Sequence, residues 1–343
     1  MENLGVVKRV DEPTEWVSSM VAVEKRGTDR LSICLDPSDL NKYKMREHYP
    51  LPTLEDITFK ISSARYFRKL DAASGYWQMK LNEQSSKLTI FNTPFRRWRF
   101  TRIPFGIASA QEIFQKKEDE ALENWDGVNV IIDDILVTGG TTREEHDKNV
   151  RTILQRCRER KLKLNPSKME IGVEEVVYFG HNLTAKGLEP DPNKGGVIRQ
   201  MRPPTSKKEL ETVMRMITYL TKFAPKLSEI TAPLRELLKK DSEWVWDANM
   251  ENIFTKVTEL ITQTPGPVLQ YFDPKKEIIL QVDASQHRMG AVLMQEGRPI
   301  AYSSRAIAMT QRNYAQIEKD MLSIVTGCQK FHQYIYGCTA GYH

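Results

Sequence analysis

The residues from Val130 to Val137 read VIIDDILV, an apolar run with two adjacent acids at its centre. A carboxylate taken out of water without a partner is strongly destabilising. Asp133 and Asp134 therefore cannot sit inside a packed strand. They mark the tip of a β-hairpin that is exposed to solvent, or they meet other groups at a site. A second acid bears on that choice. FRKLDAASGYW sets Asp71 at the end of another apolar strand, just before a turn containing Gly75. Taken alone, Asp71 also fits a helix N-cap or an ordinary turn residue. If the three acids converge, they repel one another strongly unless cations neutralise them. Two divalent ions would do so, and would supply the clamp used in phosphoryl or nucleotidyl transfer.

The chain has 343 residues, enough for two or three domains. Lys plus Arg against Asp plus Glu is 50 − 45, a formal charge of +5, which suits a polyanionic partner without requiring one. Cys34, Cys157, Cys328 and Cys338 form no C-x-x-C pair, and no His spacing completes a zinc site, so free thiols in a reducing compartment are expected. No apolar run is long enough to span a membrane. The opening MENLGVVKRVDEPTEW carries acids and no apolar core, which argues against a secretory signal.

Along the chain, WVSSMVAVEK and RLSICLD read as a hairpin joined by the polar turn RGTD. YPLPTLEDI is a Pro-punctuated connection leading into a short helix. YFRKLD, WQMKL and SKLTIFNTPF read as strands. PFGIASAQEIFQKKEDEALENW is helical, with Ile107, Ile113, Phe114 and Leu122 near one face. After the acid hairpin, Thr142 and Glu145 predict a capping box for a helix carrying Val150, Ile153, Leu154 and Cys157 on one side. EEVVYFGHNLT reads strand–turn–strand. Residues 205–240 are helical, with breaks near Pro225 and Pro233. Residues 263–276 have the Pro and Gly content of a linker, and a β-β-β-α unit follows, with a helix from about 312 to 335.

The ordered segments LDAASGYWQ, TPFRRWRFTRIPFGIASAQEIFQ, VIIDDILV, LNPSKMEI and VVYFGHNLT resemble the reverse transcriptase of gypsy-type LTR retrotransposons. The similarity runs from about Trp16 to Gly337. It implies an α+β fold with right-hand fingers, palm and thumb, followed by a partial RNase H-like α/β domain. The implied division is fingers and palm over 1–185, a thumb-like helical region over 186–262, a linker over 263–276 and a C-terminally truncated RNase H-like domain over 277–343. Asp71, Asp133 and Asp134 match the catalytic, metal-binding acids for two Mg²⁺ ions, or Mn²⁺. Tyr76 matches the steric gate against a ribose 2′-hydroxyl; by itself it also fits a core aromatic. Phe105 and Gly106 match residues beneath the incoming nucleotide, and Lys25 and Lys168 match lysines near its phosphates. Each lysine alone also fits a solvated surface charge. Phe179, Gly180 and His181 match the primer grip, with His181 structural rather than metal-binding. Asp283 matches the first RNase H acid. Asp320 stands where that family has Glu, and Glu318, two residues earlier, would face about 200° away on a helix.

The resemblance implies an RNA template, a DNA primer or RNA–DNA hybrid and a dNTP as partners, no membrane, and a cytoplasmic or nuclear rather than secreted protein from an element that integrates into DNA. Some positions depart from the family pattern. Ser32 and Arg96 replace Arg and Gly, Gln111 and Met169 replace Pro and Cys, Arg215 replaces Gly, and Ile131 replaces the aromatic before the acid pair. Arg215 and the two glycines of NKGGVI are expected to strain or weaken helices. Two functions are therefore carried forward: an RNA-directed DNA polymerase without RNase H activity, and a non-catalytic retroelement-derived nucleic-acid-binding protein. An unrelated phosphotransferase finds no G-x-x-x-x-G-K-[ST] loop to support it.

Overall fold

The computed structural model describes every residue except 25–30, 44–46, 62–63, 123–124, 126, 140–141, 224–225, 263–267, 287, 337–339 and 343. The RGTD turn and the first part of the expected linker fall outside the described residues. The chain forms two compact units, one of Met1–Ile57 with Ala64–Val173, the other of Thr58–Ser63 with Glu174–His343.

In the first unit the strands are β1 (Val7–Val10), β2 (Ser19–Glu24), β3 (Leu31–Asp36), β4 (Phe67–Asp71), β5 (Ile90–Asn92), β6 (Arg97–Phe100), β7 (Val128–Ile131), β8 (Asp134–Val137) and β9 (Glu170–Val173). Its helices are α1 (Ser38–Tyr43), α2 (Leu54–Thr58), α3 (Glu83–Lys87), α4 (Ala110–Leu122) and α5 (Arg143–Glu159). β2 and β3 form the expected hairpin, β1-β6-β5 form a second sheet, and the central sheet has the order β7-β8-β4-β9 with antiparallel pairing throughout. Leu70, Val130, Ile135 and Val137 on one face of the central sheet pack with Leu122 of α4 and with Val150, Ile153 and Cys157 of α5. Burying each large apolar side chain contributes about 1.5–3 kcal/mol, so this layer fixes the register that carries the acids. α5 starts where the sequence puts it: Glu145 N donates to Thr142 Oγ1 at 3.3 Å and the Glu145 carboxylate returns to the Thr142 N–H.

In the second unit β10 (Glu175–Tyr178), β11 (His181–Thr184) and β12 (Gly187–Pro190) form a meander. The helices α6 (Pro192–Arg199), α7 (Lys207–Leu220), α8 (Lys226–Ile230), α9 (Ala232–Leu237) and α10 (Ala248–Thr262) follow. Then come β13 (Ile278–Ala284), β14 (Arg288–Gln295), β15 (Arg298–Ala306), α11 (Gln316–Lys330), α12 (His332–Ile335) and β16 (Ala340–Tyr342). Their sheet has the order β15-β14-β13-β16, with β16 parallel to β13. Leu280 and Leu293 pack with Phe331 and Tyr334 in its core.

Three sequence-based elements are corrected. WQMKL is not a strand: Gly75–Gln78 is a 3₁₀ turn closed by Trp77 N to Ser74 O and Met79 N to Tyr76 O. SKLTIFN pairs only from Ile90, because Asn82 caps α3 by accepting from Ser85 N at 2.7 Å. The last long helix begins at Gln316, since Met309–Asn313 is a separate 3₁₀ segment. Among the described residues, Cys34, Cys157 and Cys328 form no disulfide. Among the described residues no helix is long and apolar enough to cross a membrane.

Candidate active site

The acid hairpin closes through Ile132 and Asp133. Ile132 has φ +53°, a left-handed conformation that a β-branched residue adopts at a cost of about 1–2 kcal/mol. Gln115 of α4, fully buried, braces that turn. Its Oε1 accepts from Ile132 N at 2.7 Å and its Nε2 donates to Val130 O at 3.0 Å. Across the sheet, Asp71 stands directly opposite Asp134 in the β4–β8 register. Ala72 N donates to Asp133 O at 2.8 Å. The three acids thus line one cavity of ≈ 480 Å³, together with Lys69, Lys168 and Glu170.

Lys168 Nζ lies 2.8 Å from Asp71 Oδ2, and Asn165 Nδ2 lies 3.4 Å from Asp71 Oδ1. Lys69 Nζ lies 3.4 Å from Asp134 Oδ1. The hydrogen bond to Asp71 holds the Lys168 ammonium above its ordinary range. Asp133 Oδ1 is buried with no hydrogen-bond partner. Burial, then the charges of Asp71 and Asp134, push its carboxyl up to about 6, and Lys168 pulls against them. A Cβ at Gly75 would meet Asp133 Oδ1 at 2.1 Å, so the glycine of ASGYW is required by the acid it lies against. Glu118, one turn along α4 from Gln115, is 2% exposed with neither carboxylate oxygen partnered. Burial first, and Asp133 second, push it up to about 9. It is neutral at pH 7.

The all-oxygen donor set and the orphaned Asp133 Oδ1 fit a hard divalent cation. Among the described residues, however, no three His, Cys, Asp or Glu side chains stand ready around a common point. Ammonium groups already sit against Asp71 and Asp134. To hold a metal, Asp71 and Asp134 would have to turn from Lys168 and Lys69.

Tyr76 is 8% exposed, with Phe105 at 5.2 Å and Phe114 at 5.6 Å between ring centroids. Burial and the Asp133 charge raise its phenol, while a hydrogen bond with Gln111 opposes them. Gly106 has φ +99°, and its loop is tied to α1 by Asn41 Nδ2 to Gly106 O and Ala108 N to Asn41 Oδ1, both 3.0 Å. Lys25 lies outside the described residues, as does the Ser32 side chain.

In the second unit, Phe179 and Gly180 form the β10–β11 turn at φ +48° and +71°. His181 Nδ1 lies 3.0 Å from Phe179 O. The Tyr219 hydroxyl donates to Gly180 O, and Lys194 Nζ sits 3.6 Å above the Tyr219 ring. Asp283 lies at the end of β13 and is exposed. Asp320 Oδ1 accepts from Gln316 Nε2 at 2.9 Å, and Glu318 caps α11 by accepting from Ala315 N at 2.8 Å.

Gln115, Lys69, Glu118, Tyr219 and Lys194 are absent from the sequence-based candidates. Periodicity treats polar residues on a helix or strand as solvated, and only the packing reveals that Gln115 and Glu118 face inward. Three of the positions that depart from the family pattern have a plain local setting. Arg215 lies exposed on α7 near Glu211, at 3.5 Å. Arg96 closes the β5–β6 turn at negative φ, with Thr93 N bonded to its carbonyl at 2.9 Å. Met169 packs against the apolar layer under the central sheet.

A polymerase-type palm bearing three carboxylates, with an RNase H-like sheet further along the chain, defines the class. Residues 23–183 match the family described as reverse transcriptase (RNA-dependent DNA polymerase), and residues 246–340 match the RNase H-like domain found in reverse transcriptase. The chain belongs to the reverse transcriptase family. It is 30% identical over 345 residues to the retrovirus-related Pol polyprotein from transposon 297 of Drosophila melanogaster, covering 98% of this chain and 32% of that protein. It is 31% identical over 323 residues to the transposon Tf2-3 polyprotein of Schizosaccharomyces pombe, covering 92% and 24%. The chain thus spans a third or less of these retrotransposon polyproteins. The foamy viral protease-reverse transcriptase dRH in complex with ds DNA superposes with a TM-score of 0.91 at 20% identity, covering 99% of this chain and 60% of that one. The foamy viral enzyme in complex with RNA/DNA hybrid gives 0.88 at 20% identity, covering 98% and 46%. At that identity the likeness is one of fold.

Proposed function

We propose that this chain is the RNA-directed DNA polymerase segment of an LTR retrotransposon polyprotein, extending a DNA primer on an RNA template with dNTPs. The observation that carries the reading is Asp71 opposite Asp134, with Asp133 joined to the same strand end through Ala72. Asp71, Asp133 and Asp134 would hold two Mg²⁺ ions. Such ions, when bound, neutralise developing charge on the attacking and leaving oxygens. The protein's own groups orient and select. Tyr76, packed on Phe105 and Phe114, supports a rigid wall beside the site that would exclude a 2′-hydroxyl. Lys168 holds Asp71, and its ammonium would be available to nucleotide phosphates were Asp71 to serve as a metal ligand. Lys25, Phe105 and Gly106 complete the proposed nucleotide site, and Phe179, Gly180 and His181 the proposed primer grip. The domain division proposed is fingers and palm to 185, a thumb-like region to 262, and an RNase H-like remainder after the linker.

The test is incorporation of dTMP by the purified chain on poly(rA) primed with oligo(dT). Extension that needs Mg²⁺ or Mn²⁺ and stops with chelator supports the reading. A second reading, a nucleic-acid-binding protein without turnover, is favoured by the two lysine pairs that neutralise Asp71 and Asp134. Binding of RNA/DNA hybrid that weakens steeply with salt, without extension under any divalent ion, would select it.

A further inference from the structure

The acid hairpin is braced from behind by side chains that reach an outlying connection of the same unit. Gln115 holds the turn through Ile132 N and Val130 O. Its Nε2 also donates to Asp119 Oδ1 at 2.9 Å. Asp119 Oδ2 in turn accepts from the Tyr49 hydroxyl at 2.8 Å. Tyr49 belongs to HYPLP, the connection between α1 and α2.

We propose that Tyr49 and Asp119 are positioning residues of the polymerase site, acting through the Gln115 amide to fix Ile132 and so aim Asp133 and Asp134. The inference rests on the acid triad being that site. A primary amide can face either way in a buried slot. Asp119 offers only acceptors, so it forces the Gln115 nitrogen toward itself and toward Val130 O. The Gln115 oxygen is then left facing Ile132 N–H. A flipped amide would set oxygen against carboxylate and nitrogen against N–H, losing all three bonds. Tyr49 fixes the Asp119 carboxylate in turn. Ile132 has no conformational preference of its own for the left-handed region, so the relay adds a side-chain brace to a turn otherwise held by the β7–β8 pairing and the Ala72–Asp133 bond. Displacing a reacting group by about 1 Å can slow a reaction on the order of 10²-fold.

The test uses the full chain with Tyr49→Phe, Asp119→Ala and Gln115→Met. Lys116→Met is the control, because it breaks the Glu47–Lys116 pair between the same two segments without touching Gln115. Amide exchange is followed for the hairpin peptide 128–137, and kcat and KM for dTTP are measured by primer extension. The relay predicts faster hairpin exchange and a kcat lower by about tenfold in Asp119→Ala, with KM within about twofold. Tyr49→Phe should move both in the same direction by less, and the control should move neither. Unchanged hairpin exchange, equal loosening in the control, or loosening with kcat unchanged would overturn it. If the wild-type chain extends no primer, the polymerase reading fails on its own, and the exchange comparison still decides whether the relay holds the hairpin.

Discussion

At the scale of single residues, the least expected group is Glu118. A carboxyl with both oxygens buried and unpartnered is held neutral, and it adjoins the acid site. Its folded pKa of about 9 exceeds the ordinary value of 4.5. Below pH 4.5 both folded and unfolded chains are protonated and nothing is lost. Between 4.5 and about 9 only the folded chain keeps the proton, so stability falls with pH by about 1.4 kcal/mol per unit. Glu118→Met is therefore expected to stabilise the protein, by a margin that widens from pH 6 to pH 8 in urea unfolding. An equal margin at both pH values would contradict this. Tyr76 offers a second residue-scale test. Tyr76→Val removes the ring between Phe105 and Phe114 and leaves a cavity, costing about 2–4 kcal/mol. If the ring is also the gate, the variant admits ribonucleotides more readily; unchanged dNTP preference returns Tyr76 to a purely structural role. The acids themselves were legible, because apolar strands that end on Asp71 and Asp133–Asp134 have no packing explanation. Gln115 was not, since nothing in EIFQKKEDEAL separates an inward amide from solvated neighbours.

At the scale of elements, the hairpins and amphipathic helices follow the sequence closely where side-chain periodicity is strong, as in β4, β8 and α5. They depart where local hydrogen bonds win. Asn82 turns the start of an apparent strand into α3, and Ser74 O with Tyr76 O turns WQMKL into a 3₁₀ turn. The weak helix is α6, which contains both glycines of NKGGVI. A Cβ on Gly196 meets no atom within 4 Å. Gly196→Ala should therefore stabilise the chain by about 0.5–1 kcal/mol. A shift in denaturation midpoint toward lower denaturant would mean that the exposed face is occupied.

At the scale of the whole molecule, two units of one family carry unequal chemistry. The first gathers its acids at one cavity. In the second, Glu318 is engaged as a helix cap and Asp320 is bonded to Gln316, while Asp283 stands exposed at the strand end. Cleavage of a labelled RNA/DNA hybrid is accordingly expected to be absent with either Mg²⁺ or Mn²⁺; specific cleavage lost in Asp283→Asn would show that another acid completes that site. The central claim is that Asp71, Asp133 and Asp134 work together as one polymerase centre. The measurement is the single-turnover extension rate of Asp71→Asn, Asp133→Asn and Asp134→Asn on a primed RNA template, alongside hybrid affinity at low salt. The account predicts that each substitution slows extension by ~10²–10³-fold or more while affinity stays within a few-fold. Near wild-type extension by any one of the three would contradict it.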